Sequence, residues 1–200
     1  MEKTLSLTMR SDLLNLFFPF FQQGVAIKTT VGCSIKTWLF GHISITPEYM
    51  ARRIQTIFLD GKAVDEIDAA VIRDGSTIAL SGALPGLVGA TLRRGGTYAS
   101  LRSSITHPVD KEFVPQKEGW VIVKLFNLLV PELSPLFLAQ GFWIKGQDLE
   151  EFFKRQTEEF WAGCISARLD GREVDLKTLK EIKWPPNKEL VLLKVIDNHN

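Results

Sequence analysis

Three arginines sit in a glycine-rich stretch, GALPGLVGATLRRGGTYASLRSSITHPVDKEFVPQKEG, Gly82 to Gly119. No acidic residue occurs from Gly75 through Val109, while Arg93, Arg94 and Arg102 do. Guanidinium forks beside glycine amides suit phosphate or carboxylate, so these three are the candidate anion-binding residues. The alternative is a packed loop whose arginines are solvated or paired. Cys33 stands just before Ser34, an N-cap type, where a helix N-terminus can lower a thiol pKa. His42 follows nearby, and a Cys–His pair is the arrangement that activates a thiol nucleophile. A third, orienting group is missing, so an idle thiol is the expected state. His107 and His199 are scattered, which makes neither a metal set nor a triad. No catalytic residue, metal or cofactor is expected.

The bulk numbers exclude several classes. The 200 residues fit one medium domain or two small ones. Apolar residues at 45% and charged residues at 24% describe a globular chain. A formal charge of +1 gives no general pull toward nucleic acid or an anionic membrane. The longest apolar run, LLNLFFPFF from Leu13 to Phe21, is far shorter than the roughly 20 residues that cross a bilayer. It also starts too late, behind Glu2 and Asp12, for a signal peptide. Two cysteines, Cys33 and Cys164, make no disulfide framework. The cytoplasm is the expected location.

The elements that position these residues come twice. LSLTM (Leu5 to Met9) matches VIVKL (Val121 to Leu125), and both alternate as strands do. FFPFFQQGVAIK matches LSPLFLAQGFWIK, and GCSIKTWLF from Gly32 matches GQDLEEFFK from Gly146. FLDGKAVD (Phe58 to Asp65) matches RLDGREVD (Arg168 to Asp175), and STIALS (Ser76 to Ser81) matches KELVLL (Lys188 to Leu193). Matched order with drifting spacing is the mark of a tandem duplication. Ser34 and Asp148 are expected N-caps, the latter with Glu151 in a capping box. After each cap the apolar residues follow helical spacing: Ile35, Trp38, Leu39 and Leu149, Phe152, Phe153. Glu150–Lys154 and Glu151–Arg155 mark the opposite, solvated face. Each LDG ends a strand in a tight turn, since glycine accepts positive φ. Further turns are expected at RDGS (Arg73 to Ser76) and PPNK (Pro185 to Lys188). Each half therefore reads strand, strand, helix, strand, strand: an α+β chain with one helix across a small mixed sheet.

That order resembles the β-grasp, or ubiquitin-like, fold. VIVKLFNLLVPEL (Val121 to Leu133), IFLDGKAVD and IRDGSTIALSGALPG (Ile72 to Gly86) are similar to phrases of the small sulfur-carrier proteins of molybdopterin and thiamine synthesis. The resemblance implies two tandem β-grasp domains, 1–87 and 119–200, with 88–118 as a packed linker. It also implies a C-terminal Gly-Gly whose carboxylate takes up sulfur. Here Gly86-Leu87 falls at that place in the first half and Asn198-His199 in the second, so carrier chemistry is expected to be lost. RRGG (Arg93 to Gly96) resembles the sequence at which ubiquitin matures, and cleavage near Gly86 or Gly96 would restore a glycine tail.

LLNLFFPFF and LLVPELSPLFL (Leu128 to Leu138) are richer in apolar residues than such loops require. They either pack internally or offer a partner patch, with Leu13, Leu14, Phe17, Phe18 and Phe20 as the candidate contact residues. The expected function is a non-catalytic interaction or scaffold module with an unidentified protein partner, and without nucleic acid or membrane. Self-association stays open. The alternatives are a carrier released by cleavage and a small-anion binder using the linker arginines.

Overall fold

The computed structural model describes residues 3–109, 113–182, 184 and 190–198, with 103 and 104 described by backbone alone. The PPNK turn and His199 lie outside the described residues. The strands are β1 (Lys3–Met9), β2 (Val25–Val31), β3 (Thr56–Leu59), β4 (Lys62–Ala63), β5 (Ser76–Ser81), β6 (Lys117–Phe126), β7 (Phe142–Lys145), β8 (Cys164–Leu169), β9 (Arg172–Glu173) and β10 (Leu190–Asp197). The α-helices are α1 (Phe18–Gln23), α2 (Ile35–Thr37), α3 (Pro47–Arg53), α4 (Gly86–Leu92), α5 (Leu129–Gln140), α6 (Gly146–Lys154), α7 (Glu158–Gly163) and α8 (Leu176–Glu181). With parallel and antiparallel pairs both present, the protein is α+β. No helix among the described residues is long and apolar enough to cross a membrane.

The chain forms two compact units, Met1–Phe20 with Leu133–Asn200, and Phe21–Glu132. The expected boundaries at 87 and 119 follow the repeat in the sequence; the units follow strand pairing.

In the unit of residues 21–132, the sheet order is β2-β6-β5-β3-β4. β6 runs parallel to β5 and antiparallel to β2, while β3 is antiparallel to β5. The alternation seen in the sequence puts Val121, Val123 and Leu125 of β6 on the buried face beside Ile78 and Leu80. Ile35, Trp38 and Leu39 bury against this core, as their spacing requires. The helix that carries them is shorter than expected. After α2 it widens into a π turn over Trp38–His42, where the Ile43 amide donates to the Trp38 carbonyl at 3.0 Å. Ser34 is the cap read from the sequence, its Oγ accepting from the Thr37 amide at 3.2 Å.

In the other unit the order is β7-β10-β1-β8-β9. β1 is parallel to β10 and antiparallel to β8, and β10 is antiparallel to β7. Each sheet thus has a central parallel pair, one antiparallel strand outside it and an antiparallel hairpin on the other side. The two LDG phrases show how the slots are filled. Asp60 and Asp170 have φ of 50° and 51°, and the glycines after them 79° and 78°, the two positive values a type I′ hairpin requires. Asp60 grips β5: its amide donates to the Thr77 carbonyl and its Oδ1 accepts from the Thr77 amide at 2.7 Å. Asp170 grips β1 in the same way through Thr4, at 2.8 Å for both bonds. The first strand of the chain therefore fills beside β8 the place that β5 fills beside β3. Of KELVLL, the sequence match of STIALS, the described residues Leu190 to Leu193 belong to β10, the strand one place over.

One cap reading needs correction. Asp148 is not the N-cap of α6, which begins at Gly146 after Lys145 with no side-chain cap bond. The helix starts two residues earlier, so the carboxylate sits in the first turn, where it favours the helix dipole. The solvated face is as expected, with Lys154–Glu150 at 2.5 Å and Arg155–Glu151 at 3.5 Å.

Candidate functional site

The linker after β5 is folded over its residues 86–107. Its segment from Gly86 to Leu92 is α4, and Ala99–Ile105 forms a 3-10 helix that packs with α4. Gly89 lets α4 fold back on the preceding chain, because a Cβ there would overlap the Leu84 carbonyl. Behind the linker lies Asp65, just past the β4 hairpin. Asp65 Oδ1 accepts from the Gly95 amide at 3.0 Å and from Arg102 Nη2 at 2.6 Å. Arg102 also donates from Nε to the Thr91 carbonyl at 2.7 Å and from Nη1 to Thr106 Oγ1 at 2.8 Å. Beyond them the His107 amide donates to the Ala63 carbonyl at 2.7 Å, and Thr106 forms a parallel bridge with Ala63.

These bonds separate the three candidate arginines. Arg102 has a side chain only 3% exposed, and its guanidinium bonds are spent on Thr91 and Thr106 of the linker and on Asp65 behind it. It is the clasp of the linker, not a ligand-binding group. Arg93 and Arg94 remain together. With Ala51, Ile54 and Gln55 they line an open recess of about 210 Å³ with no carboxylate in its walls. The Arg94 amide is fixed to the Gln55 carbonyl at 2.8 Å, which sets the linker against the end of α3. Arg94 Nε and Gln55 Oε1 are both buried without a partner. Gln55 gave no signal in the sequence, since a lone glutamine after a helix is ordinary.

RRGG is part of this fold. Its backbone turns, with the Gly96 amide donating to the Arg93 carbonyl at 3.1 Å and the Gly95 amide held by Asp65. Gly86 opens α4.

The outward side of the linker is apolar. Leu87 and Val88 are each 69% exposed on the first turn of α4, and Leu101 is 71% exposed on the 3-10 helix. Tyr98 and Ile105 are about half exposed beside them. Soluble proteins seldom leave such a group of side chains in water without use.

The partner residues expected from the sequence lie elsewhere. Leu13, Leu14 and Phe17 are buried and Phe18 and Phe20 half-buried, so the internal-packing reading describes this segment. Phe17 meets the rings of Phe152 at 5.0 Å and Phe160 at 5.9 Å, and Phe20 meets Phe142 at 5.8 Å. Their apolar character serves the core of the first unit, because β1 and the turn after it belong to that unit.

Cys33 is buried, its Sγ directed to the Thr30 carbonyl at 3.6 Å, and burial pushes its thiol pKa up, opposite to the effect of a helix N-terminus. His42 is exposed and no hydrogen bond joins it to Cys33. Burial also pushes the Cys164 thiol up to about 11, so both cysteines are poor nucleophiles at neutral pH. Among the described residues no group of three or more His, Cys, Asp or Glu side chains could hold a metal ion.

Comparison of the chain with protein-family models, with curated proteins and with solved structures returns no match.

Proposed function

We propose that this protein is a non-catalytic protein-interaction module, made of two β-grasp-like units, whose docking surface is the outward face of the linker. The β-grasp reading draws support from the sheet pattern that both units share, a central parallel pair with antiparallel neighbours, and from the helical segment over the sheet of residues 21–132. The observation that carries the functional reading is the contrast between the two sides of the linker. Its inner side is fastened by Arg102, Asp65 and backbone bonds, while Leu87, Val88 and Leu101 point outward. A rigid apolar face costs little ordering entropy when it docks. The absence of any acidic residue from Gly75 through Val109 specifies the partner: an apolar protein surface flanked by acidic groups. The folded state of Gly86 to Gly96 weighs against the released carrier, which needs an extended, accessible tail.

The double variant Leu87→Asp with Leu101→Asp tests this. Both positions are exposed, so stability changes by no more than about 0.5 kcal/mol per site. Native mass spectrometry is expected to show an associated protein on the native chain and none on the double variant, while the circular dichroism is unchanged. Retention of the same associated protein by the double variant would remove the linker face from the account.

A further inference from the structure

We infer that the recess between the end of α3 and the linker binds a phosphate group. This goes beyond the docking face, since it concerns Arg93, Arg94 and Gln55 and not the outward apolar side chains. The recess, about 210 Å³, is roomier than one tetrahedral oxyanion needs and is open at the surface. Its charged lining is two guanidinium groups, and no carboxylate among its walls answers them. Neither Arg93 nor Arg94 makes a side-chain hydrogen bond or ion pair with a described residue, whereas the neighbouring Arg53 and Arg102 are each held by a carboxylate, Glu132 and Asp65.

Gln55 sharpens the reading. Its Oε1 is buried and without a partner in the wall of the recess, a state that costs stability. The charged side chains of the recess are two guanidinium groups, with no acid opposing them. Two positive charges match a dianion better than a single carboxylate, and guanidinium forks fit phosphate oxygens in pairs. A fold that accepts one orphaned oxygen and two unanswered charges at one place is paying locally for a ligand held there.

The phosphate belongs either to a free ion or to the head of a larger molecule. Titration of the full chain with inorganic phosphate and with phenyl phosphate, at constant ionic strength, separates the two. The readout is the amide chemical shifts of residues 54–55 and 93–96. Both ligands are expected to give saturable shifts there; equal affinity assigns the free ion, and tighter phenyl phosphate assigns a monoester. Arg94→Gln is expected to weaken binding about tenfold or more, as is Gln55→Glu, which places a carboxylate among the donors. Arg52→Gln, at an exposed arginine of α3 outside the recess lining, leaves it unchanged. The absence of saturable shifts, or an equal loss with Arg52→Gln and Arg94→Gln, would overturn the assignment. The docking face is read by the Leu87 and Leu101 variants, so either result leaves the other standing.

Discussion

Arg102→Ala is expected to release the linker while the sheet beneath it stays folded. The guanidinium is almost wholly buried and bridges Thr91, Thr106 and Asp65. Truncation leaves the Thr91 carbonyl without that donor, empties the space of a long side chain and strands Asp65 with the Gly95 amide alone. Removing one partner of a fully buried ion pair costs about 3–5 kcal/mol, and with the Asp65 carboxylate a quarter exposed the loss here is expected at the low end, about 3 kcal/mol. That cost falls on the docking of 86–109, because the sheet of this unit has its own core and pairing. The amides of Arg94, Gly95 and His107, which bond to Gln55, Asp65 and Ala63, report the docking directly. Their hydrogen exchange is expected to speed by about a hundredfold or more, since each 1.4 kcal/mol is a factor of about ten. The amides of β5 and β6 keep their protection. Arg102→Met restores apolar volume without the charge and is expected to recover part of the loss. Unchanged exchange in Arg102→Ala would mean that the arginine is not the clasp and that its reading as an anion ligand returns.

Phe17→Ala is the second large effect. Phe17 is fully buried and lies against Phe152 and Phe160, which themselves contact Phe153 and Trp161. Truncating a buried phenylalanine costs about 3–5 kcal/mol through lost transfer energy and the cavity left behind. Urea unfolding followed by tryptophan fluorescence measures it. Phe18→Ala, one residue on and half-buried, is expected to cost clearly less. The pair decides between the two readings of the apolar segment: a partner-binding Phe17 would leave stability nearly unchanged, and a core Phe17 would not. The backbone agrees with the core reading, since the Arg10 amide donates to the Gly163 carbonyl and a Cβ on Gly163 would overlap the Leu13 side chain.

Much of the local structure is legible in the residues themselves. Asp-Gly at 60–61 and 170–171 demands two positive φ values, and Ser34 with its helical apolar spacing demands a cap and a buried face. These are contacts within a few positions of one another, where side-chain chemistry leaves few choices. The pairing of β1 with β10 and β8 is not legible in that way. Leu5, Leu7 and Met9 alternate as Val191, Leu193 and Val195 do, and alternation fixes which face a strand buries but not which slot it fills. Either strand satisfies the pleat, and the choice is made by Asp170, whose partner Thr4 is far away in the chain. The same limit applies at the site. That Arg102 is a clasp depends on Asp65, 37 positions earlier. Once Arg102 is assigned, the candidate trio reduces to Arg93 and Arg94, and Gln55 joins them only through the fold.

The account rests on the linker face, and site-specific photocrosslinking in the native host tests it most directly. A benzophenone side chain at Leu101 is expected to give one discrete heavier adduct, and the same group at Thr178, an exposed residue of α8, is expected to give none. The Leu101 adduct should fade when Leu87→Asp is added to the same chain. No adduct from Leu101, or the same adducts from both positions, would contradict the proposal that the linker is where this protein meets its partner.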